Sequence, residues 1–107
     1  MLKKKYRLPA SVRLGKAKTQ SFKHFILKTA NSELTYPRFA FVISKKVDNR
    51  AVVRNKIKRE MTNSIQNMID KISQGKDMIF ILKRSSAENV RELSTDIESA
   101  VVKGDLE

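Results

Sequence analysis

The stretch Ser44–Arg59, SKKVDNRAVVRNKIKR, sets Lys45, Lys46, Arg50, Arg54, Lys56, Lys58 and Arg59 against a single acid, Asp48. Side chains of this kind at this density bind phosphate. The stretch also opens a helical period, and a helix N-terminus already favours anions over cations. Each unfavourable like-charge neighbour costs about 0.2–0.5 kcal/mol there, and an arriving phosphate would relieve the repulsion while meeting the free backbone amides. Asn55, among the cations, adds a neutral group that can donate and accept toward a 2′-hydroxyl or a base edge.

Other chemistry is poorly supplied. No cysteine is present, which removes thiol nucleophiles, thiolate metal sites and disulfides. The only histidine, His24, lies in SFKHFIL without an acid beside it in sequence, so a Ser/His/Asp triad has no local support, and His24 reads as a strand-surface or phosphate-facing side chain. Glu60, Asp70 and Asp77 fall in separate elements or on different helix faces, which is not the arrangement of a two-metal carboxylate cluster.

The totals agree with a polyanion partner. At 107 residues the chain makes one small domain, and 23 Lys and Arg against 11 Asp and Glu leave a net charge of +12. The charge is uneven: residues 1–59 carry 17 bases and 2 acids, residues 60–107 carry 6 bases and 9 acids. The first half therefore reads as the binding surface and the second as scaffold. The basic N-terminus lacks the apolar segment of a signal peptide, and no apolar run approaches the ~18 residues of a bilayer span, so the expected location is the cytoplasm, with no membrane partner.

The elements that must position these cations follow from periodicity. Residues 1–19 are basic and broken by Pro9 and Gly15, and read as a mobile arm with a short helical turn around Ser11 to Gly15. SFKHFILKT alternates as one strand, with Phe22, His24, Ile26 and Lys28 on one side and Lys23, Phe25, Leu27 and Thr29 on the other. NSELTYP is a loop, and RFAFVIS, residues 38–44, is a second, buried strand. From about Arg50 the period becomes helical, with Ile57, Met61, Ile65, Met68, Ile69 and Ile72 in one apolar stripe and Gly75 as the stop. Asn55, Arg59 and Thr62 then face away from the core, flanked by Lys56 and Asn63, while Arg54 and Lys58 ride the edge of the stripe with their charges reaching outward.

DMIFILK is apolar enough to be an interior strand, parallel to the earlier one. Ser85 and Glu88 have the spacing of a capping box, and Val90, Leu93, Ile97, Ala100 and Val101 form the stripe of a second helix with an acidic outer face. The expected fold class is α/β, an α+β sandwich in which two helices pack a small sheet, all within one domain spanning residues 1–107.

The run RFAFVISKKVDNRAVVRNKIKRE resembles the signature of the bacterial ribonuclease P protein subunit. The matching positions are Ser44, Lys45, Lys46, Val47, Ala51, Val52, Arg54, Asn55, Lys56, Lys58 and Arg59, and the likeness extends over roughly residues 20–103. Lys56 stands where the family has the second Arg of an Arg-Asn-Arg motif, which keeps the charge and gives up the planar fork. RLPASVRLGKAKTQ is shorter and more broken than the basic, Phe-bearing helix with which the family usually opens.

The resemblance implies a strand-helix-strand crossover of left-handed sense, where physics alone predicts the right hand. It also implies an endoribonuclease whose catalyst is an RNA subunit with Mg²⁺ held chiefly by that RNA, with no protein residue in catalysis, no protein metal site and no further protein partner required. The protein would bind the ribonuclease P RNA through Lys45, Lys46, Arg50, Arg54, Asn55, Lys56, Lys58 and Arg59. It would bind the 5′ leader of precursor tRNA through a cleft between helix and sheet. Stacking candidates interleaved with charge there are Phe22, Lys23, His24, Tyr36 and Phe41.

A structural RNA-binding protein of the ribosome or another ribonucleoprotein shares the charge and size. A DNA-binding regulator fits less well, because the long helix spends its stripe on the core and no second helix precedes it at a short turn. A membrane-surface helix fails for the same reason.

Overall fold

The computed structural model describes residues 6–8, 17–32, 34–69, 75–88 and 90–106. Four strands, Lys18–Ser21 (β1), Phe25–Asn31 (β2), Arg38–Val42 (β3) and Lys76–Leu82 (β4), form one sheet in the order β1-β2-β4-β3. Among the described residues two helices, Ala51–Met68 (α1) and Glu92–Leu106 (α2), accompany the sheet in an α+β fold, with a 3-10 helix over Arg84–Ala87 between β4 and α2.

As the apolar run DMIFILK predicts, β4 is interior. It runs antiparallel to β2 and parallel to β3, in the register Phe41↔Phe80 and Leu27↔Phe80. Its two faces are unequal, however. Met78, Phe80 and Leu82 are buried, whereas Ile79 and Ile81 are only half-buried. The buried face meets Phe25, Leu27 and Phe39 from the neighbouring strands, Ile57, Met61, Ile65 and Met68 from α1, and Leu93, Ile97, Ala100 and Val101 from α2, in one core. Each fully buried side chain of this type contributes about 1.5–3 kcal/mol over its exposed state. Both helical stripes thus face the core as their period requires, except that Val90 precedes α2 and, like Ile69, is half-buried, while Asp70 and Ile72 lie outside the described residues.

SFKHFILKT is not one strand. β1 pairs antiparallel with β2 through Ser21↔Ile26 and Lys18↔Thr29, and Phe22–His24 make the corner, closed by the Phe22 amide donating to the Phe25 carbonyl at 2.8 Å. No Gly or Pro marks this reversal, so alternation runs through it unbroken. It is held instead by distant groups: Lys83 Nζ donates to Ser21 Oγ and to the Phe22 carbonyl, and the Lys83 amide donates to the His24 carbonyl.

The expected arm is also shorter than residues 1–19. Lys18 and Thr19 belong to β1. At the other edge of the sheet the Leu8 amide donates to the Phe39 carbonyl at 2.7 Å, Arg7 bridges Phe39 in parallel sense, and Leu8 is buried. Residues 1–5 and 9–16, including the expected turn around Ser11 to Gly15, lie outside the described residues.

Gly75 precedes β4 with φ +75°, in the left-handed region. A Cβ there would sit 2.8 Å from the Ser32 carbonyl oxygen and 3.1 Å from that of Leu34, so the chain needs glycine for space as well as for conformation. At the same end of the strand Arg38 grips Asp77 with both ends of its fork, Nε to Oδ1 at 2.9 Å and Nη2 to Oδ2 at 2.8 Å, across the parallel register.

Ser85 and Glu88 do not form a capping box. They belong to the 3-10 segment, where the Glu88 amide donates to the Ser85 carbonyl, and α2 begins four residues later at Glu92. The Ser85 hydroxyl is used elsewhere, on the Lys23 carbonyl at 3.0 Å.

Candidate nucleic-acid interface

Helix α1 starts where the charged stretch lies. Arg50 is its N-cap, in extended conformation and without a side-chain cap bond, and the first turn holds no acid. Lys45, Lys46, Arg50, Asn55, Lys56, Lys58 and Arg59 are all exposed. Among the described residues, Lys45, Lys46, Lys56, Lys58 and Arg59 make no ion pair with a carboxylate, whereas Arg50 pairs with Asp48 at 2.9 Å. The cations are thus presented outward and left to repel one another.

The loop between β3 and α1 has its own bracing. The Val47 amide donates to the Ser44 carbonyl, and Val47 is buried. Asp48 accepts from the Arg50 amide at 2.9 Å, from Arg50 Nε at 3.0 Å and from Arg50 Nη2 at 2.9 Å. Those donors hold the Asp48 carboxyl well down, at about 2, the Arg50 side-chain hydrogen bonds contributing most. Arg54 is half-buried and its Nη1 donates to the carbonyls of Asp48 at 2.9 Å and Asn49 at 2.8 Å. Its charge therefore turns back onto the loop, where an outward reach was expected.

Beside this loop lies an open concavity of about 670 Å³. Lys45, Lys46, Arg50 and Arg84 supply its positive charge, with Asp48, already engaged by Arg50, as its acid. Arg84 escaped sequence reasoning. Its position follows from the parallel register: Val42↔Ile81 makes β3 and β4 end together, so Lys83 and Arg84 emerge beside Ser44–Lys46, and Arg84 Nε donates to the Lys46 carbonyl at 3.2 Å. Two strands predicted to be parallel, each followed by a basic pair, were the available signal.

His24 is fully buried, contrary to the surface or phosphate-facing position expected for it. Its Nδ1 lies 2.9 Å from Ser85 Oγ and its Nε2 3.0 Å from Glu92 Oε2, with Asp96 Oδ2 at 3.6 Å. The acids missing from its sequence neighbourhood come from α2, one turn apart. The imidazole is sealed from solvent and the Ser85 hydroxyl is given to a backbone carbonyl, so the cluster bolts the β1–β2 corner to the 3-10 helix that carries Arg84. Glu92 is held below the usual carboxylate range, chiefly by its hydrogen bond to His24 and then by the charge of Lys23.

The remaining stacking candidates do not share one platform with His24. Phe22 and Phe41 are half-buried at the two ends of a row of rings, Phe22–Phe25–Phe80–Phe41, with centroids 5.2, 5.4 and 5.6 Å apart, and both lean on the core. Tyr36 stands edge-on to Tyr6 at 6.0 Å. Lys23 is exposed, with Nζ 3.7 Å from Glu92. Among the described residues no three His, Asp or Glu side chains gather as metal ligands: Asp77 is gripped by Arg38, and Glu60 accepts from the Ser94 hydroxyl at 2.6 Å. No helix of the described residues is long and apolar enough to cross a membrane.

Comparison with known proteins bears on this geometry. The sequence model of the ribonuclease P family matches residues 2–103. The ribonuclease P protein component of Bacillus cereus (strain 03BB102) is 34% identical over 96 residues, covering 85% of this chain and 83% of that protein. Among solved structures, the Staphylococcus aureus RNase P protein superposes with a TM-score of 0.73 at 27% identity, over 81% of this chain and 79% of that one. The RNase P protein of Thermotoga maritima shares the fold, with a TM-score of 0.73 over 80% of this chain and 84% of that one, at 20% identity.

Proposed function

This chain belongs to the family of bacterial ribonuclease P protein components, tRNA-processing subunits that partner the ribonuclease P RNA, and we propose that it acts there as a phosphate clamp. In this reading the exposed cations of the β3–α1 loop and of α1 bind the ribonuclease P RNA, and the protein assists cleavage at the 5′ end of precursor tRNA. The observation that carries it is the set of exposed cations without a carboxylate partner among the described residues, Lys45 and Lys46 on the loop, with Arg84 across the concavity, and Lys56, Lys58 and Arg59 on α1. Each phosphate contact of such cations releases a counterion, which makes binding steeply salt-dependent.

The 5′ leader of the precursor is single-stranded, and the half-exposed edges of Phe22, Phe41 and Tyr36, with Lys23, are the side chains suited to meet it. His24 is withdrawn from that set because it is buried. The chemical step belongs to the RNA, with Mg²⁺ held chiefly by RNA phosphates and no protein side chain in catalysis. The protein's own residues bind and orient, and their charge lowers the Mg²⁺ needed to hold two polyanions together. The holoenzyme would work in the cytoplasm without a further protein partner.

Reconstitution tests this. Purified protein, the cognate ribonuclease P RNA and precursor tRNA are mixed at low Mg²⁺, with wild type or Lys46→Ala/Lys58→Ala. Protein-dependent 5′ cleavage that the double variant weakens is expected. Cleavage that is the same with and without wild-type protein across the Mg²⁺ range would refute the reading and leave a structural RNA-binding role.

A further inference from the structure

We propose that Arg54 is a positioning residue of the RNA interface, acting through the loop 48–50 to aim Lys45, Lys46 and Arg50 at one phosphate backbone. The proposal rests on the function given above, which supplies the ligand. Arg54 is not among the residues that line the basic concavity, although every residue from Lys45 to Arg50 is. Its Nη1 is given to two consecutive backbone carbonyls, those of Asp48 and Asn49, which the loop itself leaves without a strand or helix partner.

The loop needs such a tie. Val47 is its buried anchor, and Lys45, Lys46 and Arg50 are exposed like charges on a short segment. The Arg50 carbonyl is held by the Val53 and Arg54 amides and the Lys46 carbonyl by Arg84 Nε, which leaves the carbonyls of Asp48 and Asn49, between those two ties, to the Arg54 side chain. Arg54, fixed in the first turns of α1, connects that stretch to a rigid element. A lysine there would keep the charge on a shorter stem, with less reach toward the two carbonyls that Nη1 bridges.

A phosphate contact and a positioning residue differ in what substitution does. Loss of one phosphate contact lowers the slope of log affinity against log salt by about 0.9, and a charge-preserving swap leaves it nearly unchanged. A positioning residue releases several contacts at once, whether its own charge is kept or not.

The experiment uses the full chain and its cognate ribonuclease P RNA, titrated between about 50 and 300 mM salt, with Arg54→Lys, Arg54→Gln and Lys58→Ala. Both Arg54 variants should bind about tenfold or more weakly and lose more slope than a single contact supplies, while Lys58→Ala loses about one. In the free protein, hydrogen exchange at the Arg50 amide should quicken in both variants while Tm stays within about 2 °C, a combination that a general folding defect would not give. Combined with Lys46→Ala, Arg54→Gln should cost less than the product of the two single effects. Arg54→Lys behaving as wild type, or Arg50 exchange unchanged in the free protein, overturns the proposal. A wild-type protein that fails to bind the RNA instead sinks the function, and the exchange measurement, made without RNA, still reports separately on the loop.

Discussion

Nε2 of His24 lies 3.0 Å from Oε2 of Glu92, joining a hairpin corner to a helix 68 positions further along the chain. The imidazole is wholly buried while the Glu92 side chain is half exposed, so the two ends of the bond are worth different amounts. His24→Ala should cost on the order of 2–4 kcal/mol, from the cavity it leaves and the hydrogen bonds lost to Ser85 Oγ and Glu92 Oε2. Glu92→Gln should cost clearly less than His24→Ala, because the amide oxygen can still accept from His24 and the charge that is lost is half exposed and screened by water. Urea denaturation of the two variants checks the order, and a His24→Ala loss under about 0.5 kcal/mol would show that the bolt holds nothing.

Arg38 and Asp77 offer a contrast, as a bidentate pair in which Asp77 is nearly buried and Arg38 about a quarter exposed. Asp77→Ala leaves a guanidinium at the sheet edge alone and should cost about 2–3 kcal/mol, below the figure for a fully buried pair because water reaches Arg38. Replacing both, Arg38→Met with Asp77→Leu, should recover most of that loss, since the pair's desolvation is removed with its attraction. Thermal melts of the single and double variants decide; a double variant no better than Asp77→Ala would mean that the pair itself stabilises the fold.

The Asp48 carboxyl, held at about 2, predicts a pH response. Its folded value lies below its unfolded one, so its contribution to stability is fully present above about pH 4 and is lost as pH falls through about 2. The loop should therefore keep its shape throughout the range in which RNA is bound. A carboxyl-carbon NMR titration should give a midpoint near 2; a midpoint near 4 would show that the Arg50 donors are not engaged in solution.

Arg84 should behave as one more phosphate contact. Arg84→Ala is expected to weaken binding to ribonuclease P RNA about three- to tenfold at moderate salt and to lower the salt slope by about one, without changing Tm by more than about 2 °C. A salt slope equal to that of wild type would remove Arg84 from the interface.

By itself the sequence determined the helices, the interior parallel strand and the basic face. These are decided by local period and composition: Ile57, Met61 and Ile65 repeat at helical spacing whatever surrounds them, and Lys45 to Arg59 are charged before anything folds. Tertiary structure decided whatever depends on partners distant in the chain. The corner at Phe22–His24 is made by Lys83, Ser85 and Glu92, none of which alternation within residues 21–29 can reveal. Arg84 joins the interface only because β3 and β4 end side by side. Arg54, by sequence one cation among seven, is set apart by two carbonyls within its reach. Periodicity reports which face of an element is apolar, but hydrogen bonds and ion pairs are directional and short-ranged, so their partners exist only once the elements are packed.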